Sequence, residues 1–111
     1  MGIIDWSDFE KIDIRVGKII EVIDFKEAKK PAWQLKIDFG NDIGIKKSSA
    51  QIKVLYNESD LLNKQIIAIV NFPPKQIGKF MSECLVLGVY DEQGIVLLKP
   101  EREVALGTKI G

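Results

Sequence analysis

The stretch Gln65 to Tyr90, QIIAIVNFPPKQIGKFMSECLVLGVY, decides how the rest of the chain is read. Its apolar opening, Ile66-Ile67-Ala68-Ile69-Val70, has the length of a buried strand. Asn71-Phe72-Pro73-Pro74 stops that strand, because Pro73 and Pro74 lack backbone donors and fix φ. Lys75, Lys79, Phe80, Met81, Ser82 and Glu83 then form a charged and aromatic segment, expected as a loop. Cys84-Leu85-Val86-Leu87-Gly88-Val89-Tyr90 reads as a second buried strand. Two strands presenting a polar-aromatic loop make a binding site on a rigid frame.

Outward from this centre, the pattern is one of short strands. Ile12 to Val16 alternates and Lys18 to Val22 resumes after Gly17, where a bulge or bend is expected. Trp33 to Phe39 places apolar residues at odd positions, and Gly40-Asn41-Asp42 turns it into Ile43-Gly44-Ile45-Lys46. Ala50, Ile52, Val54, Leu55 and Tyr56 fit a short amphipathic helix capped by Ser48 or Ser49. Asn57 to Asp60 reads as a turn, and Ile95 to Leu98 as a last strand ended by Pro100. Ile3 to Lys11 reads as a helix with a Ser7-x-x-Glu10 capping box. Its Trp6 and Phe9 either cap the domain's own core or line a subunit interface. The tail from Val104 to Ile110 is apolar for a terminus and is expected to dock.

Five or six strands with one helix between the third and fourth predict an all-β fold with short helices. The expected architecture is an OB-fold, a five-stranded Greek-key barrel, with an N-terminal helix (1–11) and a C-terminal extension (95–111). At 111 residues the chain is expected to be one domain.

Composition narrows the function. Sixteen basic residues balance sixteen acidic ones, against a generic polyanion binder. The balance conceals a bias: seven lysines lie between Lys26 and Lys53, while Asp5, Asp8, Glu10 and Asp13 gather near the start. No apolar run has a membrane span's length of about 20 residues, and the acidic start is unlike a signal peptide, so a cytoplasmic protein without membrane insertion is expected. With no histidine, His-based catalysis has no residue to use, and one cysteine cannot build a zinc site or an internal disulfide. Cys84 is expected as a buried structural thiol. No phosphate-binding glycine loop is present. The expectation is a binding module without cofactor or metal rather than an enzyme.

Two readings of the ligand follow. Trp6, Phe25, Trp33, Phe72, Phe80 and Met81 supply the adaptable apolar surface of a polypeptide holder, with Trp33 and Phe72 assigned to the core and Phe80 and Met81 to the surface. Alternatively, Lys46, Lys47, Lys75 and Lys79 contact phosphate, Asn71, Ser82 and Glu83 bond exposed bases, and Phe80 stacks, as in a structure-specific tRNA binder.

Asp13-Ile14-Arg15-Val16-Gly17-Lys18-Ile19 resembles the opening strand of the tRNA-binding OB domain found at the ends of methionyl-, tyrosyl- and phenylalanyl-tRNA synthetases and as free dimers. Val70 to Lys75 and Ser82 to Leu87 are similar to that family's second half. Ile43 to Ile52 and the Gly107-Thr108-Lys109-Ile110-Gly111 ending resemble its CsaA branch of export-related chaperones. The likeness runs from Asp8 to Gly111. It implies a homodimer joined through the N-terminal helix and C-terminal segments, with Trp6, Phe9, Val104, Leu106 and Ile110 as candidate interface residues. It also implies unfolded or presecretory polypeptides and Sec export components as partners. The peptide- or RNA-binding candidates are Lys46, Lys47, Ser48, Asn71, Pro74, Lys75, Lys79, Phe80, Met81, Ser82 and Glu83. Where the tRNA-binding relatives read Ser-Gly-aliphatic, this chain has Ser48-Ser49-Ala50, a departure at Ser49.

Overall fold

The computed structural model describes all 111 residues, and its strands follow from where alternating side chains can be buried. Strand β1 (Ile14–Asp24) is the longest at 11 residues and serves two partners. Ile14 to Lys18 pairs antiparallel with β4 (Gln65–Ile69), and Lys18 to Asp24 pairs with β2 (Trp33–Asp38). β2 also pairs with β3 (Ile45–Ala50), and β4 with β7 (Leu85–Val86). The sheet order is therefore β3-β2-β1-β4-β7, curled into a nearly closed five-stranded barrel, the expected OB-like fold. Leu35, Ile37 and Phe39, the odd positions of the alternation, are buried with Ile19, Leu61, Ile66 and Ala68.

Gly17 is not the bulge. The register slips between Ile19 and Glu21, and Gly17 stays in the ladder opposite Ile66. Its role is close approach: a Cβ there would stand 2.6 Å from the Ile37 and Phe39 side chains. Coiling of β1 over the barrel interior leaves room only for hydrogen.

Both helices depart from expectation, one in its cap and the other in its place. Helix α1 (Trp6–Glu10) is capped by Asp5, not Ser7, through a reciprocal box with Asp8. Helix α2 (Glu58–Leu61) lies where a turn was expected, capped by Asn57 with Asp60 and burying Leu61. The segment expected as a helix is instead divided between β3, which absorbs Ser48, Ser49 and Ala50, and an irregular connection. That connection is held by tertiary bonds: the Trp33 indole donates to the Tyr56 carbonyl at 3.0 Å, and the Leu97 amide donates to the Tyr56 hydroxyl at 3.0 Å. These bonds outweigh the weak amphipathic pattern, leaving Val54 and Leu55 exposed.

Past β4, the expected loop is an antiparallel hairpin, β5 (Lys75–Ile77) and β6 (Phe80–Ser82), turned by Gly78 at φ +61°. The expected strand Cys84 to Tyr90 is split into β7 and β8 (Gly88–Asp91), the latter forming a ribbon with β9 (Gly94–Leu97). The tail docks as expected, along the edge of β1 that β2 leaves free. Val16 donates to Thr108 at 3.0 Å, and Gly107 and Ile110 donate to Val16 and Ile14 at 2.8 Å. No helix is long and apolar enough to cross a membrane.

Candidate functional site

The barrel's seam lies between β3 and the segment Ser82 to Cys84, and only one backbone bond of a ladder crosses it. The Glu83 amide donates to the Lys47 carbonyl at 2.7 Å. Side chains complete the closure. The Lys47 amide donates to the Glu83 carboxylate (Oε1, 2.9 Å), and the Ser49 amide donates to the Ser82 hydroxyl at 3.2 Å. The Ser48 hydroxyl, 1% exposed, donates to the Cys84 carbonyl at 3.1 Å. Carboxylate and hydroxyl oxygens thus stand in for strand carbonyls, satisfying an edge that would otherwise be open.

Three residues expected to meet a ligand, Ser48, Ser82 and Glu83, are therefore engaged within the barrel. Asn71 is engaged too: its side-chain oxygen accepts from the Asp13 amide at 3.0 Å, and its amide group donates to the Lys11 carbonyl at 2.7 Å. It ties the end of α1 to the end of β4. The Ser49 departure lies in the seam, where its backbone amide makes the bond.

The hairpin divides what remains into two regions. At its base, Phe72, Pro73, Lys75, Ser82, Cys84 and Leu85 line an open cleft of about 240 Å³. Its walls are apolar, with Phe72 51% exposed and Leu85 46% exposed. Phe72 is thus on the surface, not in the core as assigned. Burial pushes the Cys84 thiol up to about 12, so the cleft's floor is a neutral thiol. Pro74 is exposed at the entry to β5, and Lys75 makes none of the chain's ion pairs.

At the hairpin's tip, Phe80 is half-buried rather than free, because its ring packs 5.2 Å from that of Phe25. The Lys47 ammonium sits 5.3 Å from the Phe80 centroid, a cation–π contact. Phe25, Glu27, Gln34, Gly78, Lys79 and Phe80 line one hollow here, and Lys36 and Lys47 border a smaller one sharing Gln34 and Phe80. Lys46 is half-buried on β3, Lys79 is exposed, and Met81 is half-buried beside its cross-strand partner Gln76. From sequence, Leu85, Pro73 and Gln34 carry no expected binding role. Cys84 is buried and Val86 packs against the core while Leu85 between them is exposed, a pattern hidden in the sequence inside a continuous apolar run.

The interface candidates fall in two places. Trp6, 68% exposed, stacks at 5.3 Å on Phe9, and α1 buries no residue. Ile4, Trp6 and Phe9 form a hollow of about 350 Å³ together with Gly111, next to Ile110. Val104 lies farther along the tail, bracketed by the Gln65 side chain through bonds of 2.8 and 3.2 Å. Leu106 borders a polar hollow with Arg15 and Asn41.

Comparison with known proteins agrees with this architecture. The chain is 36% identical over 107 residues to the methionine–tRNA ligase of Thermococcus onnurineus, and 37% over 110 residues to that of Pyrococcus horikoshii. It is covered to 96% and 99% in these matches but spans only 14% and 15% of those proteins. Its structure is similar to that of the CsaA chaperone protein from Picrophilus torridus, with a TM-score of 0.93 and 57% identity over 98% of this chain and 100% of that one. The chaperone CsaA of Bacillus anthracis follows at TM-score 0.91 and 48% identity, covering 99% and 100%. The family model for the tRNA binding domain matches residues 14–109, β1 through the docked tail, and the chain belongs to that family.

Proposed function

We propose that this chain is a homodimeric, chaperone-like protein of the cytoplasm that holds unfolded or presecretory polypeptide on its way to the Sec export machinery. The observation that supports it best is the apolar cleft of Phe72, Pro73, Cys84 and Leu85. Exposed aromatic and aliphatic walls hold varied apolar side chains, whereas the polar groups able to read a base are engaged within the fold, Asn71 through both its oxygen and its amide, Ser82 through its oxygen and Glu83 through Oε1. Two solved CsaA chaperones at 57% and 48% identity support the same reading. The dimer is supported by α1, which presents Trp6 and Phe9 beside the chain's end, with Val104, Leu106 and Ile110 along the tail. Fluorescence anisotropy with a permanently unfolded polypeptide tests it. Phe72→Ala should weaken binding several-fold, and equal affinity in the variant refutes the cleft. Light scattering should give a dimer for the wild type and a monomer for Trp6→Asp.

A second reading, structure-specific tRNA binding, is favoured by Lys47 and Lys79 around Phe80 and Gln34, with Lys36 on the same hollow as Lys47 but paired to Glu21 at 3.1 Å. Lys46 and Lys75 would extend its phosphate contacts, and Pro74 and Met81 would flank them. Filter binding across a salt series checks it: affinity should fall steeply with salt, and a flat response removes it.

A further inference from the structure

We infer that the cleft at the base of the hairpin selects acidic-apolar segments: an extended polypeptide seats an aliphatic or aromatic side chain between Phe72 and Leu85 and sets a carboxylate, two residues away, on Lys75. This rests on the polypeptide-holding function proposed above and specifies its client chemistry.

Three observations carry it. First, apart from Lys75 and Ser82 the cleft is lined by Phe72, Pro73, Leu85 and the neutral thiol of Cys84, and the Ser82 oxygen already accepts from the Ser49 amide, so an apolar side chain gives up little hydrogen bonding on entry. Second, Lys75 is the one charged residue of the lining, it is exposed, and no carboxylate of the chain pairs with it. Glu83, the nearest acid in sequence, is turned to the Lys47 amide. The rim therefore carries an unanswered positive charge, complementary to a client's Asp or Glu. Third, β5 pairs with β6 alone, so the other edge of Lys75 to Ile77 is unpaired backbone. Such an edge accepts an extended peptide by strand addition, a backbone interaction that a nucleic acid cannot supply. In an extended chain, residues two apart share a face, so the seated side chain and the carboxylate reach cleft and rim together.

The experiment uses the intact chain and peptides of about ten residues with a neutral fluorophore, differing only in Leu-Ser-Asp, Leu-Ser-Asn or Leu-Ser-Lys at the centre. The wild type should bind Leu-Ser-Asp roughly two- to fivefold more tightly than Leu-Ser-Asn, the yield of an exposed ion pair, with Leu-Ser-Lys weakest. Lys75→Gln should erase the order and Lys75→Glu should reverse it. Lys75 is exposed at the hairpin's start, so both variants should keep the wild-type circular dichroism spectrum. Tight but indiscriminate peptide binding overturns the selectivity alone, leaving the polypeptide-holding function intact. Absence of binding to every peptide, and to an unfolded polypeptide, overturns both. If Phe72→Ala weakens tRNA binding and leaves peptide binding unchanged, the cleft belongs to nucleic acid and the inference falls.

Discussion

Replacing Glu83 by alanine separates a residue that closes the barrel from one that meets a ligand. The wild-type carboxylate accepts the Lys47 amide at 2.9 Å across a seam with little backbone ladder of its own. Truncation leaves that amide without its partner. A hydrogen bond to a charged group contributes roughly 1.5–3 kcal/mol, and the lower end applies at a half-buried seam that water can enter. The chain has 111 residues. At about 2.1 cal/mol/K of unfolding entropy per residue, 1 kcal/mol corresponds to about 4 °C in Tm, so Glu83→Ala should lower Tm by roughly 6 °C. Glu83→Gln keeps an acceptor oxygen and should lose about half as much. Differential scanning calorimetry reads both, and hydrogen exchange at the Lys47 amide should accelerate in the alanine variant. An unchanged Tm in Glu83→Ala with loss of ligand affinity would refute the structural role and return Glu83 to the binding surface.

Other substitutions probe the remaining joints. Gly17→Ala forces a methyl to 2.6 Å from Ile37 and Phe39 and should cost about 2–3 kcal/mol by overpacking, visible as a lower urea midpoint; wild-type stability would contradict the close approach. Asn71→Ala removes both bonds between α1's end and β4, so trypsin should cleave after Lys11 several-fold faster with little change in global Tm. Cys84 should resist iodoacetamide at pH 9 in the native state and react once unfolded, since burial raises its pKa from 9.0 to about 12. With the folded pKa above the unfolded one, its stabilisation is complete below pH 9 and is lost as pH rises from there towards about 12. The wild type should therefore lose stability over that range more steeply than Cys84→Ala.

The barrel was legible because its signals are periodic and local. Leu35 and Ile37, odd-numbered apolar residues of β2, are buried as the alternation requires, and five strands form the barrel, although the helix between β3 and β4 falls at Glu58–Leu61 and not at the expected residues 50–56. The misplaced features were those that long-range bonds decide. Residues 50–56 carry a helical pattern, yet Tyr56 is fixed by Trp33 and Leu97, residues 23 and 41 positions away. Gly17 resembles a bulge marker because a missing side chain looks the same whether the backbone bends or a neighbour intrudes. Phe80 and Phe72 exchanged roles for a similar reason. The partner that half-buries Phe80 is Phe25, remote in sequence, and no neighbouring ring covers Phe72.

The candidate site shows why polar residues in a small barrel are ambiguous in sequence. Closing a curled sheet requires either a full backbone ladder or side chains that replace it. Here Ser48, Ser82 and Glu83 take the second course, so the residues most suited to hydrogen-bond a ligand are occupied by the fold. The ligand surface is left to the apolar residues beside them and to unpaired lysines. Yet Ser82 and Cys84 also line the cleft, which places any ligand directly against the seam. An occupant that excludes water from Ser82 should strengthen the neighbouring seam bonds by lowering the local dielectric. Binding and barrel closure are then coupled through one short segment. A seated peptide should slow exchange at the Lys47 and Ser49 amides, and the Glu83→Ala variant should bind peptide more weakly although Glu83 does not touch it.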